Sequence, residues 1–197
     1  AKSIVRFANL AGTKTTVLLT DMNQVLGHHV GNALEMKEAV EFLKGQNIDS
    51  RLHKITMELC TELLVNTKIA TTPTQAYLKL QNSLDSGQAL EYFARMISAL
   101  GGPKDFCDNY EKYLPQAKIV RPVLAKQKGY VSAMQTRNIG LAFIELKGGR
   151  IRSDQKLDYA TGFSNFCHIG DKIEKNQPLC FIHAQSDDDY QQAVQNI

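Results

Sequence analysis

Residues 101–105, Gly-Gly-Pro-Lys-Asp, divide this chain into two stretches whose apolar residues follow different periods. Two glycines and a proline end a helical run. Before them, apolar residues recur at helical spacing: Ile4, Phe7 and Leu10; Met36, Val40 and Leu43; Leu52, Ile55, Leu59 and Leu63; Leu90, Phe93 and Ile97. After them come "KIVRPVLAKQKGYVSAMQT", "GLAFIELKG" and "PLCFIHAQ", short β-rich segments separated by Gly, Asp and Asn turns. The expectation is two domains, 1–102 helix-rich and 103–197 β-dominated. That makes the fold class α/β followed by α+β.

Local signals sharpen this reading. Gly12 ends a first helix. "TTVLLTDM", nearly continuous and apolar, then reads as a buried strand of an α/β layer. Its end carries Thr20, Asp21 and Asn23, and ligands of open α/β sheets sit beyond the carboxyl ends of strands. An Asp/Asn turn that satisfies its own backbone accounts for these residues equally well. Asn32 with Glu35 three residues on suggests an N-cap and capping box, and Gly45 a helix end. A further helix fits residues 49 to 67. Thr72, Pro73 and Gln75 form a strong start signal. Ser186 before three aspartates suits the start of a last helix.

The net charge of +3 is small for 197 residues, and no Lys/Arg stripe with interleaved aromatics appears, which argues against nucleic-acid binding. No apolar run is long enough to span a bilayer. Cys60, Cys107, Cys167 and Cys180 lie far apart, as expected of reduced thiols in a cytoplasmic protein. His28 and His29 are adjacent, so on an extended backbone they point in opposite directions and are poorly placed to chelate one metal together. His53, His168 and His183 stand singly and read as surface or hydrogen-bonded core positions.

The stretches "LLTDMNQVLG", "VGNALEMKEAVEFLKG", "RLHKITMELCTELL", "GGPKDFCDNYEKYLP", "GYVSAMQTRNIGLAFIELKGGR", "LDYATGF" and "IGDKIEKNQPLCFIHA" occur in order along the chain. Together they closely resemble the thymidine and pyrimidine-nucleoside phosphorylases, most of all the bacterial thymidine-phosphorylase-like members. The resemblance implies the last part of the family's α/β domain over 1–102 and its α/β-hammerhead domain over 103–197. It implies reversible phosphorolysis of thymidine to thymine and 2-deoxyribose 1-phosphate. The partners would be phosphate and the pyrimidine nucleoside, in a full-length cytoplasmic homodimer that requires no cofactor, whereas a fragment alone could be monomeric. The family's Lys-His-Ser-Thr-Gly-Gly phosphate loop and its pyrimidine-binding Arg and Ser-x-x-x-Lys residues have no counterpart here, since "GGPK" and "KGGR" lack the Ser-Thr. The chain is therefore expected to be a fragment, inactive alone, with no catalytic or substrate-binding residue of its own. By motif position, the resemblance also implies a structural potassium ion held by the backbone carbonyls of Leu26 and His29 and by Glu38. Oxygen ligands of this kind suit a hard cation. Two alternatives come from other classes. One is a biotinyl- or lipoyl-type carrier with Lys156 as the modified residue, although its flanks do not match such a hairpin tip. The other is a non-catalytic interaction module.

Overall fold

The computed structural model describes residues 1–197. Five helices come first: α1 (Lys2–Leu10), α2 (Asn32–Leu43), α3 (Ser50–Asn66), α4 (Pro73–Asp85) and α5 (Gln88–Ala99). After a short α6 (Tyr110–Tyr113) come β1 (Ile119–Leu124), β2 (Gly129–Tyr130), α7 (Thr136–Glu145), β3 (Gly162–Ser164), β4 (Lys172–Ile173), β5 (Pro178–Ala184) and α8 (Asp187–Asn196). The helix-rich architecture with small antiparallel sheets is compatible with an α/β fold.

The helix ends follow their local chemistry. Asp49 caps α3 by accepting the Leu52 N–H at 2.7 Å. Thr72 caps α4 through the Gln75 N–H at 3.2 Å, and the Gln75 side chain returns to the Thr71 N–H at 2.8 Å. Ser186 caps α8 through the Asp189 N–H, with three aspartates in the first turn. Gly12, at φ +83°, ends α1 with the paired backbone bonds of a Schellman motif, Gly12 N–H to Asn9 C=O and Thr13 N–H to Ala8 C=O.

Two cores form. The larger gathers Val25, Ile139, Phe163, Cys180, Ile182 and Ala193, with neighbours from α7, β3, β5 and α8. Strand β5 runs between β1 and β3, antiparallel to both, with Ile119 opposite Ala184 and Phe163 opposite Ile182. Its Cys180, Ile182 and Ala184 are fully buried at alternate positions, the period of a strand with one face on the core. Strands β2 and β4 make a separate two-stranded pair. The smaller core centres on Val40, Phe106 and Cys107, covered by Leu90, Phe93 and Ile97 of α5 and by Tyr110. Residues 106–114 therefore pack back onto α2 and α5.

Several sequence expectations need correction. "TTVLLTDM" is not a strand, and Val17 and Leu19 are exposed. No strand of this chain lies beside it; side chains instead hold parts of its backbone, Asn9 at Thr15, Arg51 at the Asp21 carbonyl and Thr136 at the Met22 carbonyl. The apolar stripe of α1 is likewise uncovered, with Ile4, Phe7 and Leu10 all more than two-thirds exposed. Gly31, not Asn32, is the N-cap of α2; Glu35 still accepts the N-cap N–H at 3.0 Å, and the Asn32 amide donates instead to the Gly148 carbonyl. On α3 the buried residue is Met57, while Leu59 and Leu63 point outward, because α4 covers only one side of the helix. "GLAFIELKG" is helix α7 rather than β-rich, since Ile139, Ala142 and Leu146 recur every three to four residues and are the buried ones.

Candidate functional site in the 20–31 loop

The loop from Thr20 to Gly31 is irregular but held along its whole length. Asp21 Oδ1 accepts the Asn23 N–H at 2.8 Å, so the acid and amide close an Asx turn on their own backbone. Arg51, on the first turn of α3, donates to the carbonyls of Asp21, Gln24 and Val25, the last at 3.0 Å. The Thr136 hydroxyl donates to the Met22 carbonyl at 3.0 Å, and Gln24 Oε1 accepts the Ile169 N–H at 2.9 Å. Val30 and Phe163 exchange both backbone hydrogen bonds, at 2.8 and 2.7 Å. This close approach requires glycine on both sides. A Cβ at Gly162 would meet the Val30 oxygen at 2.1 Å and one at Gly31 the Thr161 oxygen at 2.7 Å, and both glycines have positive φ.

His28 and His29 diverge as expected of adjacent residues. The His29 ring turns towards Glu38, with Nδ1 3.5 Å from Oε1. That Nδ1 is buried and makes no hydrogen bond. Glu38 is itself buried and accepts the His28 N–H at 2.6 Å. Burial pushes the Glu38 carboxyl up, but the contacts with His29 and the His28 N–H more than offset it, so the group sits below the usual glutamate range. A Cβ on Gly27 would lie 2.5 Å from Glu38 Oε1, so glycine at 27 is what lets the carboxylate reach the loop backbone. The His28 and Val30 carbonyls accept from Phe166 and Phe163, whereas no protein donor reaches those of Leu26 or His29. A buried carboxylate and carbonyls without protein donors are oxygen atoms of the kind that suit a hard cation. Glu38 and a second buried acid, Glu41, border a cavity of about 500 Å³ together with His28, His29 and Lys37.

His28 faces the other way, onto Asp49 and His168. His168 Nε2 lies 3.1 Å from Asp49 Oδ2 and 3.2 Å from His28 Nδ1. His183, read from sequence as a single residue, is hydrogen-bonded to the Ser164 hydroxyl at 2.8 Å, and burial depresses its pKa to about 4. Asp49, Arg51 and His168 were not singled out from sequence. In the sequence Asp49 and Arg51 only open the helix expected over 49 to 67, and His168 meets the loop from 140 positions away.

The two glycine pairs sit at helix C-termini, not N-termini. Gly101 and Gly102 end α5, and Gly148 and Gly149 follow α7, packed against Phe143 and Ile144. Carbonyls face outward at such ends, which disfavours a phosphate. Lys156 lies in an exposed loop between α7 and β3 rather than at a hairpin tip, which gives the carrier alternative no support. All four cysteines are free thiols; burial pushes the Cys180 thiol up to about 12. No helix is long and apolar enough to cross a membrane.

Comparison with family models gives two matches in chain order. Residues 1–90 match the glycosyl transferase family a/b domain, and residues 130–197 match the pyrimidine nucleoside phosphorylase C-terminal domain. Strand β3 of the second matched region packs against the 20–31 loop of the first through the Val30–Phe163 bridge. These two matches, in order on one chain, show that the chain belongs to the thymidine and pyrimidine-nucleoside phosphorylase-like family of pentosyltransferase-type enzymes.

Proposed function

We propose that the chain serves the reversible phosphorolysis of thymidine, in which a phosphate oxygen bonds to the anomeric carbon as the bond to the pyrimidine nitrogen breaks. The products are thymine and 2-deoxyribose 1-phosphate. The observation that carries this reading is the ordered pair of family matches across residues 1–90 and 130–197. In it, residues 1–102 are the closing part of the α/β domain and residues 103–197 a hammerhead-like C-terminal domain. The whole enzyme is a cytoplasmic homodimer whose partners are phosphate and the pyrimidine nucleoside. Residues 1–197 supply scaffold: Arg51, Thr136 and Gln24 hold the loop, and the glycine pairs at helix C-termini offer no anion cradle. Rate in such a reaction comes from orienting phosphate and stabilising the departing base. Residues 1–197 alone therefore release no thymine from thymidine and phosphate above background, while the whole enzyme does. Comparable turnover by residues 1–197 would sink this division of labour, and failure of the whole enzyme on thymidine would sink the substrate.

Within this reading a potassium ion sits against Glu38 and the carbonyls of Leu26 and His29. The buried Glu38 carboxylate, the two carbonyls without donors and the absence of a Cβ at Gly27 support it. Potassium chloride should raise the Tm above that in choline chloride, and Glu38→Gln, which keeps an acceptor for the His28 N–H, should abolish the difference. His29→Ala should spare it, because the carbonyl remains.

A further inference from the structure

We propose that His28, Asp49 and His168 form a three-ligand site for a zinc-class divalent cation that staples the 20–31 loop and the N-terminus of α3 to the 165–171 loop. One ligand atom from each residue lies within 4.8 Å of the others. The separations are 3.1 Å for His168 Nε2 to Asp49 Oδ2 and 3.2 Å for His168 Nε2 to His28 Nδ1, while the other His28 nitrogen, Nε2, lies 3.9 Å from Asp49 Oδ2. Bonds of about 2.0–2.1 Å in a tetrahedron put ligand atoms roughly 3.3 Å apart, so closing on one ion takes a turn of the part-exposed His28 ring that brings one of its nitrogens to both partners.

The supporting contacts are already built. Asp49 is buried, and its Oδ1 is committed to the Leu52 N–H at the cap of α3, which leaves Oδ2 to face the imidazoles. The loop backbone at His168 is held by its main-chain N–H, which donates to Asp171 Oδ2 at 2.7 Å. The two imidazole rings meet edge to face, with centroids 4.9 Å apart. Ligation uses neutral imidazoles, so a cation held by His168 Nε2 leaves that ring's hydrogen on Nδ1. Two imidazoles and one carboxylate select a borderline cation such as Zn²⁺ over Mg²⁺ or Ca²⁺. The histidine side chains remain 34% and 22% exposed, which gives the ion access and leaves the remaining coordination to water. This site is separate from the Glu38 cradle: His28 turns to one side of the loop and His29 to the other. It does not depend on the phosphorolysis reading.

The test uses the 197-residue protein, stripped with EDTA and titrated with Zn²⁺ by calorimetry and with Co²⁺ by visible absorption. One equivalent should bind. The Co²⁺ complex should show d–d bands of a four-coordinate site with no thiolate charge-transfer band, and Zn²⁺ should raise the Tm. Loss of a supporting group around a metal costs 10–100-fold in affinity, so losing a ligand in His28→Ala or His168→Ala should weaken binding by about 100-fold or more, while His53→Ala binds normally. The Co²⁺ spectrum of the unsubstituted protein keeps the test independent of whether a variant folds. No binding of either metal overturns the proposal and leaves a hydrogen-bonded histidine pair. A thiolate band, which Cys167 beside His168 would produce, or unchanged affinity in His168→Ala, also overturns it.

Discussion

Gly27 and Glu38 show how tightly single residues constrain the loop. With the carboxylate 2.5 Å from where a Cβ would stand, Gly27→Ala must displace a buried acid that holds the His28 N–H. Overpacking of this kind costs about 1–3 kcal/mol. Urea unfolding should show that loss, and the same substitution in a Glu38→Ala background should cost much less; an equal cost in both backgrounds would mean that the two residues do not clash. His183 sets an acid limit. Burial first, then the charges of His29 and Lys37, lower its pKa from 6.5 to about 4. The unfolded chain takes up this proton near pH 6.5 while the folded protein does not, so the contribution is complete above about 6.5 and is lost progressively as pH falls towards 4. His183→Gln should flatten the fall in unfolding free energy between pH 6.5 and 4, and a slope identical to that of the parent protein would refute the assignment.

At the level of elements, the clearest case is α4. Thr72 at the N-cap accepts the Gln75 N–H, Pro73 at N1 has no N–H to leave free, and the Gln75 side chain accepts the Thr71 N–H just before the helix. Thr72→Ala should cost about 1 kcal/mol, or roughly 2–4 °C in Tm for a chain of this size. Thr72→Ser should restore most of it, and a neutral Thr72→Ala would show that the cap is redundant. The caps of α4 and α8 and the glycine ends of α1 and α2 were legible in the sequence because each depends on residues within four positions. Helix α7 was not. Its apolar run "LAFIEL" suits a strand or a helix equally, and only the burial of Ile139, Ala142 and Leu146 on one side distinguishes the two.

Across the whole molecule, Arg51 ties the loop to α3 while Gln24 and Thr136 tie the same loop to the C-terminal half. Hydrogen bonds from a charged donor are worth about 1.5–3 kcal/mol. Arg51→Ala should lower stability by an amount of that order and raise hydrogen exchange in 21–26 and 166–171 together. An increase confined to 21–26 would show that the loop does not couple the two regions.

The sequence alone determined the family, most helix positions, the opposed directions of His28 and His29, and the motif positions that nominate Leu26, His29 and Glu38. All of these rest on residues close together in the chain or on a string of adjacent letters. Only the tertiary structure decided what each face touches. It left "TTVLLTDM" and the stripe of α1 uncovered, since burial depends on a neighbour that periodicity cannot name. It also brought His168 to His28 from 140 positions away and gave the capping residue Asp49 a second role. A lone histidine carries no mark of its partner, because long-range contacts are set by how the two halves dock and not by any local pattern.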